Sequence, residues 1–355
     1  MNGIKGKRPE SVLVARLSAL SDIIVSIPVI YSVCRCHPDT RFTFITKPAT
    51  QPLFINAPEN LTVVGVDIKD RYRGITGIRK LFTELRKDYR FDAFIDLNDV
   101  WRTRILAFLC RINRIPVRKI NSGHSHKRAL TRKHNKVMLP LFSQRARYRE
   151  AFYRMGLPVE ERFTSLFGNS KGNPETFAAV SAPKREEEHW IGIAPFAKYR
   201  GKVYPIEMTE KIVSEISQWE NTRIFLFGGG DEECTTLDSW TKKYPHCTSL
   251  ADKRYGFPLE LALLSHLDVM VSMDSANMHL ASTVGVPVIS IWGATHPYCG
   301  FKGWNQSGNN MVQLSMVCRP CSMFGDRPCH RGDYLCLTGI PTQAITDKIK
   351  QSINA

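Results

Sequence analysis

The sequence predicts an α/β protein with two domains, each built on a parallel sheet flanked by helices. Apolar runs typical of buried strands alternate with stretches of helical periodicity along most of the chain. The alternation pauses over residues 171–189, which hold glycine, proline and mixed charges, and then restarts. A chain of 355 residues is also longer than one that usually folds around a single hydrophobic core. We therefore expect an N-terminal domain over residues 1–170, a linker over 171–189, a C-terminal domain over 190–340 and a terminal helix over 341–355.

The N-terminal half begins with a strand and a helix. Residues 11–16 are a strand-like apolar run, and Asp22 opens a helix that ends near residue 35, before Pro38. The other elements expected in this half are strands over 41–46, 61–66 and 91–97 and helices over 77–89 and 145–155. Asp22 thus lies just past a strand, where it could act as a general base or simply cap the helix.

The C-terminal half repeats the alternation. The expected strands cover 190–195, 222–227, 269–273 and 287–292, and the expected helices cover 205–219, 231–243, 258–266, 277–284 and 341–353. Asp274 and Ser275 follow the strand over 269–273, and ligands of parallel sheets bind at the carboxyl ends of strands. The following helix would direct free N–H groups at the same place, which favours a phosphate. A plain helix N-cap explains the two residues equally well.

Charge and composition restrict the classes of partner. The formal charge of +16 indicates an anionic partner, and residues 111–136 contain five Arg, four Lys and three His but no acid. A solvated basic loop is the simplest interpretation of that stretch. The chain has no apolar run of ~18 residues and no signal-peptide core, so we expect a cytoplasmic protein.

Four cysteines form a cluster near the end of the chain, at Cys318, Cys321, Cys329 and Cys336. Four thiols with one C-x-x-C pair could form a structural tetrahedral zinc site. The second pair is too widely spaced for the stronger CxxC…CxxC pattern, so reduced thiols explain the cluster equally well.

Four segments together resemble glycosyltransferase family 9, the lipopolysaccharide heptosyltransferases. They are RLSALSDIIVSIP at 16–28, IGIAPFAKYRGKVYP at 191–205, FLFGGGDEE at 225–233 and SMDSANMHLASTVGVPVISIWGATHP at 272–297. The resemblance implies a GT-B fold, in which two Rossmann-like domains face a cleft. It also implies metal-independent, inverting sugar transfer from a nucleotide-sugar, commonly ADP-heptose, to an anionic glycolipid at the inner face of the inner membrane.

The resemblance also implies roles for individual residues. Asp22 matches the general base that deprotonates the acceptor hydroxyl, and Lys202 matches the lysine that neutralises the leaving diphosphate. The residues that match donor-binding positions are Ser18, Glu232, Asp274, Ser275, Ala276 and His279. The candidates for acceptor or membrane contact are Arg128, Arg132 and Lys133.

Two residues depart from the family pattern. Ser21 and Ala276 stand where the family usually has glycine, and Ala276 would bring a methyl group close to the donor. A nucleotide-sugar epimerase-like enzyme and an inactive or purely binding family member are the alternatives. Nucleic-acid binding is not expected, because no helix-turn-helix or RNA-binding signature accompanies the basic residues.

Overall fold

The structure is a computed structural model that describes residues 8–251, 253 and 255–354. The basic start of the chain at residues 1–7 and the last residue of the expected terminal segment lie outside these residues. The strands are β1 (Ser11–Ala15), β2 (Arg41–Thr46), β3 (Leu61–Gly65), β4 (Ala93–Asp96), β5 (Val117–Lys119), β6 (His189–Ala194), β7 (Thr222–Leu226), β8 (Cys247–Ser249), β9 (Val269–Met273), β10 (Val288–Trp292) and β11 (Met311–Gln313). The helices are α1 (Leu20–Cys36), α2 (Gly74–Tyr89), α3 (Trp101–Ile112), α4 (His124–Leu130), α5 (Gln144–Tyr153), α6 (Ile206–Ile216), α7 (Asp231–Lys243), α8 (Phe257–Leu264), α9 (Ala276–Thr283), α10 (Leu335–Thr338) and α11 (Gln343–Ile353).

The chain divides into two compact units, and each contains one parallel sheet. Unit 1 consists of the described part of Met1–Ser122 together with Phe142–Leu166, and unit 2 consists of Gly123–Leu141 together with the described part of Phe167–Ala355. In the described residues, unit 1 has a five-stranded sheet in the order β3-β2-β1-β4-β5. Unit 2 has a six-stranded sheet in the order β11-β10-β9-β6-β7-β8. The expected α/β class with two parallel-sheet domains is confirmed.

The strand sequences explain why these sheets are covered on both faces. Every residue of β1, β9 and β10 is buried. Continuous apolar strands of this kind are typical of parallel sheets with helices on both faces. In unit 1 the amphipathic helix α2 buries Ile78, Leu81 and Phe82 against the sheet. In unit 2 the terminal helix α11 buries Ile345 and Ile349 in the main core.

Residues 123–141 are grouped differently from the sequence-based domain spans. We expected them in the N-terminal domain, but their contacts place them in unit 2. Leu130, at the end of α4, packs with Cys299 and Met323, and the Leu141 N–H donates to the Tyr298 carbonyl at 2.9 Å. This packing could not be predicted from the sequence, because Leu130 stands alone in a polar, basic stretch without helical periodicity.

Candidate active site

The reversal of strand order in unit 1 lies between β1 and β4. The carboxyl ends of two such strands border the usual ligand crevice of a doubly wound sheet. Here the loops that leave the two strands are joined by Asn98. Its Oδ1 accepts hydrogen bonds from the N–H groups of Leu17 at 2.5 Å and Ser18 at 3.1 Å. The start of α1 is therefore fixed to the end of β4.

Asp22 lies at this point, in the first turn of α1. Its carboxylate forms an ion pair with the Arg16 guanidinium, which also donates to the Leu97 carbonyl. The Asp22 side chain is 24% exposed, whereas that of Arg16 is 8% exposed. The hydroxyl of the buried Tyr148 donates to the Asp22 carbonyl at 3.2 Å. Asp22 is therefore held in place while part of its side chain remains accessible.

Asp22 does not occupy the N-cap position of α1. That position belongs to Ala19, whose N–H reaches the Asp22 Oδ2 at a long 3.4 Å. The principal partner of the carboxylate is Arg16, which comes from the end of β1. An ordinary capping role thus accounts for little of the Asp22 geometry.

The reversal of strand order in unit 2 lies between β6 and β9. Lys202 comes from the loop after β6, and Asp274 directly follows β9. The Lys202 Nζ lies 3.1 Å from the Asp274 Oδ2, with side-chain exposures of 16% and 5%. The Thr295 hydroxyl donates to the same oxygen at 2.9 Å. Asp274 thus holds Lys202 and Thr295 at one buried point.

Close backbone contacts fix the path of the Lys202 loop. The Ala294 N–H donates to the Gly201 carbonyl at 2.7 Å. A Cβ at Gly293 would lie 2.6 Å from that carbonyl, and a Cβ at Gly325, whose φ is +74°, would lie 2.5 Å from the Lys202 Cγ. Since contacts this short would force a shift, glycine is required at both positions.

The amino end of α9 begins immediately after Asp274. Ser275 is the N-cap residue, but its side chain makes no capping hydrogen bond and instead lies 3.3 Å from the Ser272 hydroxyl. Ser275, Ala276 and Asn277 are partly exposed. The amides at this helix end and the Lys202 ammonium together favour an anion such as a diphosphate.

The family of the chain follows from its match to a family model. The model described as glycosyltransferase family 9 (heptosyltransferase) matches residues 78–328. This chain belongs to glycosyltransferase family 9. As a family 9 protein, it is a glycosyltransferase. Lipopolysaccharide heptosyltransferase 3 of Escherichia coli is 24% identical over 312 residues, which cover 82% of this chain and 85% of that protein.

Solved structures share the family 9 fold. The crystal structure of the glycosyl transferase family 9 from Veillonella parvula superposes with a TM-score of 0.74 at 15% identity and covers 99% of each chain. The E. coli ADP-heptose lps heptosyltransferase II superposes with a TM-score of 0.66 at 15% identity, over 97% of this chain and 98% of that chain. The predicted GT-B class of two Rossmann-like domains is thereby confirmed.

The remaining predicted donor residues occupy different settings in this family 9 chain. Ser18 is bonded to Asn98 in unit 1, as described above. Glu232 is exposed in the first turn of α7, and its carboxylate has no partner among the described residues. The neighbouring Glu233 instead accepts from the Gly229 N–H at 2.8 Å. His279 is buried within α9.

Several residues that hold the site were not predicted. Arg16 and Asn98 fix the surroundings of Asp22, and Thr295 fixes those of Asp274. Arg319 is 2% exposed and donates to the carbonyls of Gly293, Leu314, Trp292 and Thr295 and to the Gln313 Oε1. Arg16 and Thr295 lie within the matching segments, but Asn98 and Arg319 carry no sequence signal, since their roles depend on distant backbone groups.

His296 also lies next to this loop. Its Nδ1 accepts from the Tyr298 N–H at 3.0 Å. Burial, together with the nearby Arg319 charge, lowers the pKa of His296 to about 4. The imidazole is therefore neutral at physiological pH.

The cysteine cluster lies in unit 2 as free thiols. The Cys321 thiol contacts the Cys318 carbonyl at 3.4 Å, and burial raises the pKa of Cys321 and brings that of Cys336 to about 11. Within the described part of the chain, no group of three or more His, Cys, Asp or Glu side chains is arranged to hold a metal ion. Structural zinc at these thiols stays a prediction, which metal analysis of the purified protein would test.

None of the helices in the described residues combines the length and the apolar character that a bilayer span requires.

Proposed function

We propose that the protein transfers a heptose from ADP-heptose to an anionic acceptor of the lipopolysaccharide-core or lipid A type. Membership of family 9 supports the reaction class, and a similar solved structure is an ADP-heptose enzyme. The observation that carries the proposal is the Lys202–Asp274 pair, which lies beside the open amino end of α9. That combination suits a nucleotide diphosphate.

The donor half of the proposal belongs to unit 2. The diphosphate would accept hydrogen bonds from the first amides of α9 and lie next to the Lys202 ammonium. Asp274 would act mainly by orienting Lys202, since its carboxylate is 5% exposed and already shared with Thr295. Glu232, with its unpaired and exposed carboxylate, would contact the hydroxyl groups of the donor.

The chemical step uses Asp22 as the general base. The acceptor hydroxyl oxygen attacks the anomeric carbon of the heptose, and its proton passes to the Asp22 carboxylate. The bond from the anomeric carbon to the ADP oxygen breaks, and ADP leaves with its charge stabilised by Lys202 and the α9 amides. Direct attack from the opposite face inverts the anomeric centre. No step requires a metal.

The acceptor half of the proposal concerns the membrane. Arg128, Arg132 and Lys133 are exposed on and after α4 and would contact the anionic acceptor or the inner-membrane surface. Each basic residue near an anionic surface contributes about 1 kcal/mol.

Thermal unfolding with a panel of ADP-, GDP-, UDP- and CMP-sugars tests the donor assignment. We expect a selective rise of the melting temperature with ADP-heptose, because the ligand binds only the folded state. Lys202→Gln should reduce the rise, and Asp22→Asn should not. A rise of the melting temperature with a different sugar nucleotide would show that the donor is not ADP-heptose. Turnover of the sugar nucleotide without acceptor would favour an epimerase-like enzyme, and no rise at all would favour an inactive member.

A further inference from the structure

Unit 2 contains a cavity of about 710 Å³ between the basic segment that follows α4 and the cysteine-rich loop. Its lining combines residues from 131–136 with residues from 315–331. The lining residues are Thr131, Arg132, Lys133, Lys136, Ser315, Met316, Val317, Cys318, Cys321, Arg327, Pro328, His330 and Arg331. A volume of this size accommodates a phosphate group together with part of the molecule that carries it.

The charge of the lining is entirely positive. None of the described residues that border the cavity is acidic. Arg132, Lys133 and Arg327 are exposed and form no ion pair within the described part of the chain. Arg331 is paired with Asp333 at 2.9 Å. Three uncompensated cations around one concave surface favour an anion with several charged oxygens, such as a phosphate.

The cavity wall is held in place by partly buried polar contacts. The Lys136 Nζ donates to the carbonyls of Cys318 and Pro320, the latter at 2.7 Å, so this lysine joins the two sides of the cavity. The Cys321 N–H donates to the Ala294 carbonyl at 2.8 Å. The Ala294 loop also carries Thr295, which contacts Asp274. The cavity is therefore built on the same loop as the proposed donor site.

Large apolar side chains are exposed in or next to the two chain segments that line the cavity. Val317 lines the cavity and is 98% exposed. Leu139, which follows Lys136 by three residues, is 65% exposed. Val137, Met138 and Phe324 are also exposed large apolar residues. Cations together with exposed apolar side chains are typical of surfaces that enter the headgroup region of an anionic membrane.

We infer that this cavity binds the phosphate group of a membrane lipid, with Arg132, Lys133 and Arg327 on the phosphate and Val317 and Leu139 at the acyl boundary. The inference rests on the proposed function in one respect, since a lipid-linked acceptor is one source of such a phosphate. The bulk anionic lipid of the membrane is the other source. Arg327, Val317 and Leu139 thereby acquire a role that the family motifs do not include.

Vesicle co-sedimentation of the full chain tests the inference. The vesicles are phosphatidylcholine alone, phosphatidylcholine with phosphatidylglycerol, and phosphatidylcholine with phosphatidic acid at the same charge. The variants are Arg132→Gln/Lys133→Gln/Arg327→Gln, Val317→Ser/Leu139→Ser, and the matched control Lys87→Gln/Lys211→Gln/Lys242→Gln, whose three lysines are exposed elsewhere. Unchanged thermal unfolding shows that each variant is folded.

We expect retention on anionic vesicles, with a partition coefficient reduced about 100-fold in the triple cavity variant and about tenfold or more in the apolar variant. The control should lose much less than the cavity triple. Stronger retention by phosphatidic acid would support a phosphate monoester such as an acceptor carries, and equal retention would support bulk anionic lipid.

Three results would overturn the inference: no retention on either anionic vesicle, equal losses in the cavity and control variants, or binding of soluble inositol hexakisphosphate without vesicle binding. ADP-heptose binding, measured on the same preparations, distinguishes a failure of the lipid-phosphate inference from a failure of the proposed function. Donor binding with no cavity-dependent retention would reject the inference alone. Cavity-dependent retention with no donor binding would reject the proposed function alone.

Discussion

The two sheets of this protein place an aspartate at the same topological position but surround it differently. Asp22 and Asp274 both lie where the strand order of their sheet reverses, and both pair with a cation. Asp22 lies within the first turn of α1, and Asp274 lies just before α9. The Asp22 side chain is 24% exposed, whereas that of Asp274 is 5% exposed. An accessible carboxylate can exchange a proton with a substrate, whereas a buried one serves to hold its cation. The same framework thus supports a proposed base in unit 1 and a proposed phosphate site in unit 2.

The largest expected effect comes from removing the proposed base. Asp22→Asn keeps the shape of the side chain but cannot accept a proton, so the transfer rate should fall about 10²- to 10⁴-fold. Initial rates at saturating ADP-heptose and acceptor measure this change. Glu232→Gln provides a comparison, since it should raise the KM for the donor more than it lowers kcat. An Asp22→Asn enzyme with a transfer rate within tenfold of the wild-type rate would show that Asp22 is not the general base.

The next effect concerns the residue that supports the unit 2 site. Arg319→Met leaves the carbonyls of Trp292, Gly293 and Thr295 without their buried donor and should lower the free energy of unfolding by about 3–5 kcal/mol. Urea unfolding measures the loss. Arg154→Met removes an exposed arginine paired with Glu150 and should cost about 1 kcal/mol or less. Equal losses in both variants would show that Arg319 does not anchor this loop.

A double-mutant cycle tests whether Asp274 acts through Lys202. If Asp274 acts by holding Lys202, Asp274→Asn should weaken ADP-heptose binding in the wild type but change little in a Lys202→Gln background. The expected coupling is about 1–3 kcal/mol. Lys198→Gln, an exposed lysine in the same loop, is the control and should combine additively with Asp274→Asn. Additivity in the Lys202 cycle would mean that Asp274 contacts the donor independently.

The smallest effect is a dependence of stability on pH that belongs to unit 2. The pKa of His296 is lowered from 6.5 to about 4 in the folded protein. Between these values the unfolded state binds more protons, so stability falls as the pH decreases from about 6.5 to about 4, by about 1–3 kcal/mol. His296→Gln should reduce this slope in urea unfolding across that range, whereas His134→Gln, at an exposed site, should not. Equal slopes in all three proteins would show that His296 does not cause this pH dependence.

The long apolar strands could be predicted from the sequence. The short strands and the helices without a clear hydrophobic periodicity could not. The strands β5, β8 and β11 have three residues each, too few for a pattern. The helix α4 was missed because its sequence, HSHKRAL, has a single buried apolar residue. The helix α3 was not predicted either, although it buries Leu106 and Cys110 against α2 and the sheet.

The candidate functional residues could be predicted from the sequence, but the contacts that surround them could not. Asp22, Lys202 and Asp274 could be selected because they lie in family-like segments at strand ends. The contacts that determine their environment could not be selected, because Asn98 binds the loop after β1 from 80 residues away and Arg319 binds backbone carbonyls. Such contacts depend on the folded backbone and leave no pattern in the sequence.

Calorimetric titration of ADP-heptose into the wild type, Asp22→Asn and Lys202→Gln tests whether the base and donor functions belong to the two different aspartate sites. We expect Asp22→Asn to bind the donor with the wild-type affinity and Lys202→Gln to bind it about 10- to 100-fold more weakly, because the proposed diphosphate site belongs to unit 2. Loss of donor binding in Asp22→Asn, or wild-type affinity in Lys202→Gln, would contradict the assignment of base and donor functions to the two aspartate sites.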